Sequence, residues 1–578
     1  MSIENRSKTG DAPWPRLPVL ILLISALAIL VFSFQGSRGI WEPDEGFYVS
    51  TAWSMLDDGD LIIPRLQGEP FLDKPPLTYW GIAAGMKLLG RNEGGARIFH
   101  ALCFMLTVLL VGVLGKSLYG GRATGVAAGL IYATMALPFA ASNIVTPDTP
   151  LALWTTAAFF CFWKSARPGA RQVTLWKMLM CLAFGLGFLT KGPAALIPSS
   201  GMFVYLLLRR RARQYFLTPW ALLGFSVFCL VGMSWYLVLS TSLPGALEYF
   251  WDNQVWGRTI SGKYQRNPGL FRAVVIYLPT LLFGSLPWSL MGLPKLRRAG
   301  RSLLRRETWA ELRNRPVALF LLTWFLAPLL VLSLASSKLP LYVLPLFSSL
   351  ALATAPLLAE TRALNAVKAG RWMPSSRLMK ALGVWVLMLL IGKKAIAYYP
   401  SSRDSRALWA AVYRHLPRDP HELVVVDNRI SGLSFYGVED VERVTTRQHP
   451  YPFFSMPETL REEIDEIPWS PHRHVFLCSR ESKAAQVRQG LGEVGVTFSE
   501  IPLPHQWKLV ICEFAGRPAA PSGGAVAIKL TNDERSRPSP RCLNRLKPGP
   551  LQRPRRTNAP SSRRRRIPCS STIPSDQA

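Results

Sequence analysis

Residues Trp41–Trp80 read WEPDEGFYVSTAWSMLDDGDLIIPRLQGEPFLDKPPLTYW, and this polar segment lies between two apolar runs. The first run spans 17–34, and the second begins near Ile98. The pairs Asp44-Glu45 and Asp73-Lys74 are too polar for the hydrocarbon core of a lipid bilayer. The segment is therefore predicted to lie at a membrane–water boundary or in a wet cavity. The remaining chain is then a membrane scaffold that holds it.

Apolar runs of membrane-spanning length recur along the chain. Of its 578 residues, 49% are hydrophobic, and runs of roughly 18–22 apolar residues suffice to cross a bilayer. The sequence predicts a mainly α, polytopic transmembrane protein with about eleven membrane helices, and up to about thirteen if broken runs are counted separately. The first run lacks a small-residue cleavage motif at its end, which favours a retained helix over a signal peptide. The predicted spans are 17–34, 97–115, 123–141, 148–163, 176–190, 193–208, 219–240, 273–293, 316–335, 340–358 and 381–398.

The formal net charge of +31 could indicate a nucleic-acid partner, but the positions of the charges argue against one. Most basic residues lie in short loops between apolar runs, and these basic loops fall on one side of the predicted membrane. By the positive-inside rule, the basic side is cytoplasmic, and it includes residues 1–16. A first outer loop, 35–96, and a second outer loop, 241–272, then emerge on the opposite, extracytoplasmic face, within a transmembrane domain spanning 17–398.

The composition changes after about residue 399. Short apolar runs at 421–427, 433–438, 474–479 and 508–514 are typical of buried strands, and helical patterns lie near 406–416 and 482–494. They predict a small extracytoplasmic α/β domain at 399–514. Cys478 and Cys512 could pair there in an oxidising compartment, whereas no cysteine–histidine spacing indicates a structural zinc site. The Pro-, Ser- and Arg-rich tail, 515–578, is predicted to be disordered.

Asp44 and Glu45 are candidates for acid–base chemistry. They follow Pro43 at a predicted helix start, where acidic residues also favour the helix dipole without any chemical role. A carboxylate in a partly dry cavity can instead act as a general base. Tyr48 lies four residues after Asp44 and shares its helical face, where packing and a site role are both consistent with the pattern.

Isolated lysines on the outer face predict an anion site. Lys74 follows Asp73 and precedes two prolines, which hold the backbone extended, and a fixed ammonium suits a phosphate. Lys191 and Lys338 repeat the pattern, since each is a lone cation closely followed by proline; snorkelling anchors would look similar. Asp148 enters a span after Pro147, and helix capping is its alternative explanation.

These residues also carry a family resemblance. The stretches that carry it are PDEGFY with its following helix, GDLIIPRLQGEPFLDKPPLTYW, LTKGPAALIP, SLPW and SKLPLYVLP. Through these stretches the chain resembles the GT-C glycosyltransferases that use polyprenyl-phosphate sugars. The aminoarabinose lipid A transferases and the protein mannosyltransferases are the most similar groups. The resemblance implies an inverting glycosyl transfer at the outer face of a bacterial inner membrane. Asp44 would be the catalytic carboxylate, Tyr48 would line the cavity, and Lys74, beside Asp73, would hold the polyprenyl phosphate.

The resemblance also places Asp148, Lys191, Lys338 and Tyr342 on matching polar positions. It implies a polyprenyl-phosphate-linked sugar donor, an acceptor that is a lipid such as lipid A, a glycan or a protein, and no nucleic acid. A divalent cation is admitted as a cofactor, and the sequence does not decide whether one is required.

Two departures from the aminoarabinose transferases leave the sugar and the metal open. Phe47 stands where those enzymes carry Arg before the cavity Tyr, and 253–268 lacks the expected His. Arg258 in that loop, with Lys263 and Arg266, could still bind phosphate. A transporter or flippase of lipid-linked saccharides is the alternative function. It is disfavoured because the polar groups gather at one face and no internal repeat is evident.

Overall fold

The structure, a computed structural model, describes residues 17–167, 169–256, 266–291, 311–359, 377–428, 430–437, 441–446, 458–470 and 472–513. Within these ranges the chain is mainly helical up to Tyr413 and then forms a mixed sheet. The mainly α architecture with a small C-terminal α/β part is therefore confirmed. The predicted tail, 515–578, lies outside the described residues.

Helices overlap each of the eleven predicted apolar runs. The α-helices before residue 400 are Leu17–Phe32, Asp44–Asp57, Leu77–Leu89, Glu93–Tyr119, Arg122–Thr134, Ala136–Ala141, Asp148–Ala166, Val173–Lys191, Ser199–Leu208, Ala212–Phe216, Pro219–Gly232, Ser234–Ser242, Ala246–Tyr249, Leu270–Gly284, Pro316–Leu334, Phe347–Ala359 and Arg377–Ala395. Several predicted spans are broken. The 123–141 run divides at Met135, whose extended backbone is followed by a helix containing Pro138.

Five helical stretches in the described part of the chain are long and apolar enough to cross a membrane, or six if one bent pair counts as a single span. The chain is thus a multi-pass membrane protein by the length and composition of its helices. The five stretches are Glu93–Tyr119, Val173–Leu196, Pro316–Leu334, Pro340–Ala359 and Arg377–Tyr398, and the pair bent by 41° is Pro219–Gly232 with Ser234–Ser242.

Aromatic side chains and close backbone contacts fill the core of the helical part. Phe159 stacks on Trp324 with ring centroids 4.0 Å apart. A Cβ at Gly201 would lie only 2.7 Å from the carbonyl oxygen of Thr323. The helices Ser199–Leu208 and Pro316–Leu334 therefore touch through their backbones. Small residues at such crossings are typical of membrane helices, which associate through close packing.

The Trp41–Trp80 segment contains the helix Asp44–Asp57 and a two-residue hairpin, and it leads into the helix Leu77–Leu89. Strands β1 (Arg65–Leu66) and β2 (Glu69–Pro70) form the antiparallel hairpin. The buried face of the Asp44–Asp57 helix includes Tyr48, Thr51 and Met55, as the helical spacing predicts. Asp44 itself remains exposed at the first turn.

The C-terminal sheet has five strands in the order β4-β3-β5-β7-β6. Strands β4, β3 and β5 run parallel, whereas β7 is antiparallel to both β5 and β6. One face packs against the helix Ser405–Tyr413, and the other packs against the helices Leu460–Glu466 and Glu481–Val494. The strands are β3 (His421–Val426), β4 (Val441–Val444), β5 (Arg473–Cys478), β6 (Phe498–Pro502) and β7 (Lys508–Cys512).

Two sequence predictions for this region are wrong. Residues 433–437 of the run 433–438 do not form a strand: Gly432–Phe435 forms a helical turn, and Phe435 lies in the same apolar cluster as Tyr48 of the Asp44–Asp57 helix. Short apolar runs do not distinguish strand from helix by periodicity. Cys478 and Cys512 do not pair, because their strands bring Cys478 opposite Lys508 and Cys512 opposite Phe498.

The C-terminal part forms hydrogen bonds with residues on either side of the Trp41–Trp80 segment. The Tyr436 hydroxyl donates to Glu93 Oε1 at 2.9 Å and accepts from the backbone N–H of Ile40 at 2.9 Å. Arg91 donates through Nε to the carbonyl oxygen of Phe435 at 2.9 Å, and its guanidinium lies 4.2 Å from the centre of the Trp53 ring. Because Trp53 belongs to the Asp44–Asp57 helix, Arg91 links that helix to the C-terminal part.

Candidate active site

Asp44 occupies the first position of its helix and keeps an accessible carboxylate. Its side chain accepts no hydrogen bond from any residue in the described ranges, although protein surrounds it on most sides. This partial burial raises its pKa above the ordinary value for Asp. The positive charge of Arg266 opposes the rise, and the negative charges of Asp73 and Asp148 add to it. A carboxylate with a raised pKa and an open approach is suited to accept a proton.

Glu45, the next residue, has the opposite environment. Both of its oxygens are buried and accept hydrogen bonds from Arg38, at 2.7 and 2.8 Å, and from Arg97, at 3.0 and 3.2 Å. The backbone N–H groups of Trp41 and Val145 add two further donors. Burial alone would raise the pKa of Glu45, but the charges of Arg97 and Arg38 outweigh it and lower the pKa to about 2. Glu45 is a fixed anion with its accepting positions filled.

The network around Glu45 also fixes the loop that leads to Asp148. Arg38 donates through Nη2 to the carbonyl oxygen of Asn143 at 3.0 Å, and Val145 donates to Glu45 Oε1 at 3.0 Å. Asp148 follows three residues later as the first residue of its helix. One buried carboxylate therefore sets the start of the Asp44 helix and the approach to Asp148.

Lys74 is buried beside Asp73. Its Nζ lies 2.7 Å from Asp73 Oδ2 and also donates to the Asp73 carbonyl oxygen at 3.1 Å. The next helix starts at Leu77, after Pro75 and Pro76, so the lysine stands on a short rigid turn. The charges of both Asp73 and Lys74 act on Asp44, which places this turn at the same site.

Lys191 and Asp148 form a second ion pair, in which Nζ lies 2.5 Å from Oδ1. The Lys191 ammonium also lies 4.7 Å from the centre of the Tyr342 ring, which joins Tyr342 to the pair. Asp148 is the one hydrogen-bond partner of Lys191 in the described part of the chain. A lysine has three N–H donors, so two remain for an incoming anion.

The turns that carry Lys74 and Lys191 approach each other. Gly192 has φ +61°, a conformation that side chains rarely adopt, and it ends the helix Val173–Lys191. A Cβ at Gly192 would lie 3.9 Å from Pro75 Cγ and 3.3 Å from the Tyr236 hydroxyl. Glycine at this position permits both the turn and the close approach of the two lysine-bearing segments.

The other predicted site residues are placed as follows. Tyr48 is buried, with its ring centre 5.7 Å from that of Tyr79. The Lys338 ammonium donates to the carbonyl oxygen of Ala335 at 2.5 Å, at the end of a membrane helix, and its backbone N–H binds the carbonyl oxygen of Arg266. Lys338 thus touches the segment that carries Arg266. Arg258 lies outside the described residues, as do 257–265 of the second outer loop.

Sequence reasoning missed three residues of this region. Arg38 and Arg97 hold Glu45, and Tyr79 buries a hydroxyl that has no hydrogen-bond partner among the residues that the structure describes. The signal for Arg97 was available, because a lone arginine at the start of an apolar run is costly unless an anion pairs with it. No local pattern marks Arg38 or Tyr79.

The arrangement combines an accessible carboxylate with two turns that each carry a lysine. Such a site can accept a proton at Asp44 while it binds an anion at Lys74 and Lys191. A displacement in which a nucleophile attacks and a phosphate leaves uses both features: the carboxylate accepts the proton of the nucleophile, and the cations bind the phosphate.

Comparison with known proteins finds sequence similarity to glycosyltransferases. The profile of the dolichyl-phosphate-mannose-protein mannosyltransferase family matches residues 73–238, less than half of the chain. The undecaprenyl phosphate-alpha-4-amino-4-deoxy-L-arabinose arabinosyl transferase of Pseudomonas aeruginosa is 32% identical over 335 residues, which are 57% of this chain and 58% of that protein. The corresponding transferase of Edwardsiella ictaluri is 32% identical over 66% of this chain and 65% of its own length. The chain therefore spans between half and two thirds of these relatives.

The fold is shared over a greater length. The crystal structure of ArnT from Cupriavidus metallidurans bound to undecaprenyl phosphate superposes with a TM-score of 0.69 and 19% sequence identity. The match covers 86% of this chain and 98% of ArnT. This chain thus has an ArnT-like GT-C fold, and in its sequence motifs and its fold it resembles the polyprenyl-phosphate-dependent glycosyltransferases.

Proposed function

We propose that this protein is an inverting glycosyltransferase that moves a sugar from a polyprenyl-phosphate carrier to an acceptor at the membrane surface. One observation carries the proposal: the Asp44 carboxylate is accessible and unbonded among the described residues, and it lies within the electrostatic reach of Lys74 and Arg266. A general base beside bound phosphate is the minimum that a single displacement requires.

In the proposed reaction, Asp44 accepts the proton of the acceptor's nucleophilic oxygen as that oxygen attacks the anomeric carbon of the donor. A new bond forms from the acceptor oxygen to that carbon, and the bond from the carbon to the phosphate oxygen breaks. The electron pair leaves with the polyprenyl phosphate, and the anomeric configuration inverts. One carboxylate suffices because no sugar–enzyme bond is formed.

The cations of Lys74 and Lys191 stabilise the departing phosphate. Lys191 has two N–H donors that no described residue occupies, and Tyr342 holds its ammonium from one side. The same groups bind the donor's phosphodiester in the ground state. Their contribution grows as negative charge accumulates on the leaving oxygen.

Glu45 has a positioning role in this proposal rather than the catalytic role that the sequence suggested for the Asp44-Glu45 pair. Its filled acceptor sites prevent it from taking a proton, whereas its bonds to Arg38 and Arg97 orient the first turn on which Asp44 stands. Tyr48, Asp73, Asp148 and Lys338 complete the cavity wall in our proposal, and Arg258 remains a predicted phosphate ligand.

The names of the relatives suggest the donor, and undecaprenyl phosphate-linked 4-amino-4-deoxy-L-arabinose is therefore the first donor to test. Lipid A, which the family resemblance of the sequence implies, is the first acceptor to test. Some apolar helices are too short to count as membrane spans by themselves. We further propose that these shorter helices, together with the longer ones, form about eleven passages through a bacterial inner membrane. The site would then face the extracytoplasmic side, since the basic loops define the cytoplasmic one.

Transfer by purified protein in lipid nanodiscs tests the function. We expect Asp44→Asn to reduce release of undecaprenyl phosphate by about 100-fold or more, the usual effect of losing a general base. Asp57→Asn, at the exposed C-terminal end of the same helix, is the matched control and should retain activity. Both variants should unfold at the temperature of the wild type.

Retained transfer by Asp44→Asn would remove Asp44 from the reaction. If the wild-type protein instead moves the labelled lipid-linked sugar across the bilayer without releasing undecaprenyl phosphate, the flippase alternative replaces transfer. Other polyprenyl-phosphate sugars are tested in the same assay when aminoarabinose is not used.

A further inference from the structure

The C-terminal part of the chain meets the start of the Asp44–Asp57 helix at the side chain of Glu42. Its Oε1 accepts hydrogen bonds from Ser405 Oγ at 2.7 Å and from the Gly432 N–H at 2.6 Å. Ser405 begins the helix that precedes β3, and Gly432 begins the helical turn that follows β3. Two separate elements of the C-terminal part therefore converge on a single carboxyl oxygen.

The same carboxyl group packs directly on the helix that carries Asp44. A Cβ at Gly46, in the first turn of that helix, would lie 2.1 Å from Glu42 Oε2. Glycine leaves the space that this oxygen occupies, and Oε2 is buried. A Cβ at Gly432 would likewise lie 2.6 Å from Glu42 Oε1. The Glu42 carboxyl group is thus enclosed between a glycine of the helix and a glycine of the C-terminal part.

Backbone hydrogen bonds also fix the residue that carries this carboxyl group. The Glu42 N–H donates to the carbonyl oxygen of Arg403 at 2.8 Å, and the Ser405 N–H donates to that of Ile40 at 2.9 Å. Together the two bonds form an antiparallel β-bridge between the two segments. The backbone that leads into the Asp44–Asp57 helix is therefore held in register with the C-terminal part.

Glu45 holds the same helical turn from another side. Its carboxylate binds Arg97 of a membrane-spanning helix, whereas Glu42 binds the C-terminal part. Asp44 lies between these two anchored residues and is the first residue of its helix. A shift of either anchor therefore moves the Asp44 carboxylate relative to the two lysine-bearing turns.

We propose that Glu42 is a positioning residue for Asp44, and that the C-terminal part acts on glycosyl transfer through it. The inference rests on the proposed function and gives the C-terminal sheet a role in that reaction. The sheet contributes no reacting group. It fixes the first turn of the helix, so that Asp44 meets the acceptor in a constant place. A displacement of about 1 Å at a catalytic group can reduce the rate about 100-fold.

Steady-state transfer by the full-length protein in lipid nanodiscs separates positioning from binding. We expect Glu42→Ala to lower kcat at least about tenfold, because the start of the helix loses its hold. The donor KM should change by less than about twofold, since the lysine-bearing turns stay in place. Glu42→Gln should restore kcat, because the amide oxygen accepts both hydrogen bonds. Glu513→Ala, at an exposed position of the C-terminal part, is the control and should match the wild type.

Hydrogen–deuterium exchange gives a second measurement that does not depend on activity. Peptides within 41–57 should exchange at least about tenfold faster in Glu42→Ala than in the wild type, and Glu42→Gln should restore the slow exchange. Ser405→Ala, which removes one of the two donors and keeps the carboxyl group, should have intermediate kcat and exchange. It decides the matter if Glu42→Ala fails to fold.

Unchanged kcat in a folded Glu42→Ala protein, or in Ser405→Ala when Glu42→Ala is unfolded, would overturn the proposal. So would a loss of kcat that Glu42→Gln does not restore, because the charge of Glu42 and not its position would then matter. If the wild-type protein transfers no sugar, the proposed function fails by itself. Hydrogen exchange then tests the hold on the helix alone, and equal exchange in wild type and Glu42→Ala would refute it.

Discussion

Arg97 and Glu45 form an ion pair with 3.0 Å between Nη2 and Oε2, and their side chains are only 1% and 2% exposed. The pair joins a membrane-spanning helix to the first turn of the Asp44–Asp57 helix. Two consecutive carboxylates consequently differ in character, because the pKa of Asp44 is raised while the pKa of Glu45 is lowered to about 2. Divergent environments of this kind separate a reactive carboxylate from a structural one.

Glu45→Gln should destabilise the protein strongly. The substitution keeps the shape of the side chain but leaves Arg38 and Arg97 buried without their counter-charge, at a cost of about 3–5 kcal/mol. Denaturant unfolding of the protein in detergent measures the loss. Glu248→Gln, at an exposed position, should change stability by less than about 0.5 kcal/mol. Equal stability of the two variants would show that the network is not needed for folding.

Glu42→Gln should alter the pH dependence of stability. Glu42 Oε1 accepts hydrogen bonds from Ser405 Oγ at 2.7 Å and from the Gly432 N–H at 2.6 Å. Its Oε2 is buried and has no hydrogen-bond partner within the described ranges. Burial raises the pKa of Glu42 from 4.5 to about 8. The folded state then keeps a proton that the unfolded state has lost, so stability falls as pH rises between these values and is level above them.

Tm of the wild type and of Glu42→Gln is measured from about pH 5 to about pH 8, the range over which proton linkage predicts the slope. The neutral amide should flatten this part of the profile and stabilise the protein most at the alkaline end. An unchanged slope would mean that Glu42 is ionised in the folded state throughout the range.

Lys191→Met should weaken donor binding. Methionine retains an apolar chain of similar length against Tyr342, but it removes the cation that pairs with Asp148. We expect the KM for the polyprenyl-phosphate donor to rise about tenfold or more, with a smaller fall in kcat if the contact is formed before the transition state. Steady-state kinetics with varied donor provide the measurement, and Lys87→Met, at an exposed helix end, is the control. An unaltered donor KM would make Lys191 a structural partner of Asp148 only.

Tyr436→Phe should loosen the contact between the C-terminal part and the segment around Ile40. The variant loses a hydrogen bond to Glu93 and leaves the Ile40 N–H without its acceptor, which costs about 1–3 kcal/mol. Thermal unfolding and the rate of limited proteolysis report the effect. Tyr413→Phe, whose ring is 67% exposed, should match the wild type in both assays. If Tyr436→Phe is as stable as that control, the hydrogen bonds of Tyr436 do not stabilise the contact between the C-terminal part and the segment around Ile40.

The sequence predicted the helical scaffold and the positions where charge would gather, because both leave local patterns. Long apolar runs mark membrane helices, and proline beside Lys74 or after Lys191 marks a turn at a helix end. The ion pair between Lys191 and Asp148 was not predicted as a pair. Its two members are 43 residues apart, and no periodicity connects them.

Other features left no local pattern to find. Glu45 looked equivalent to Asp44 in the sequence, and only the tertiary contacts with Arg38 and Arg97 distinguish them. The run 433–438 has the composition of a strand, yet tertiary packing places Phe435 beneath the Asp44 helix.

The close approach of Gly192 and Pro75 brings the two lysine-bearing turns side by side. The scaffold therefore places both lysines on neighbouring turns before any substrate binds. Under the proposed function, the carrier phosphate would meet the same two turns whichever sugar it bears. The choice of sugar and acceptor would then depend on other segments, and related chains could differ in substrate while these two turns stay the same.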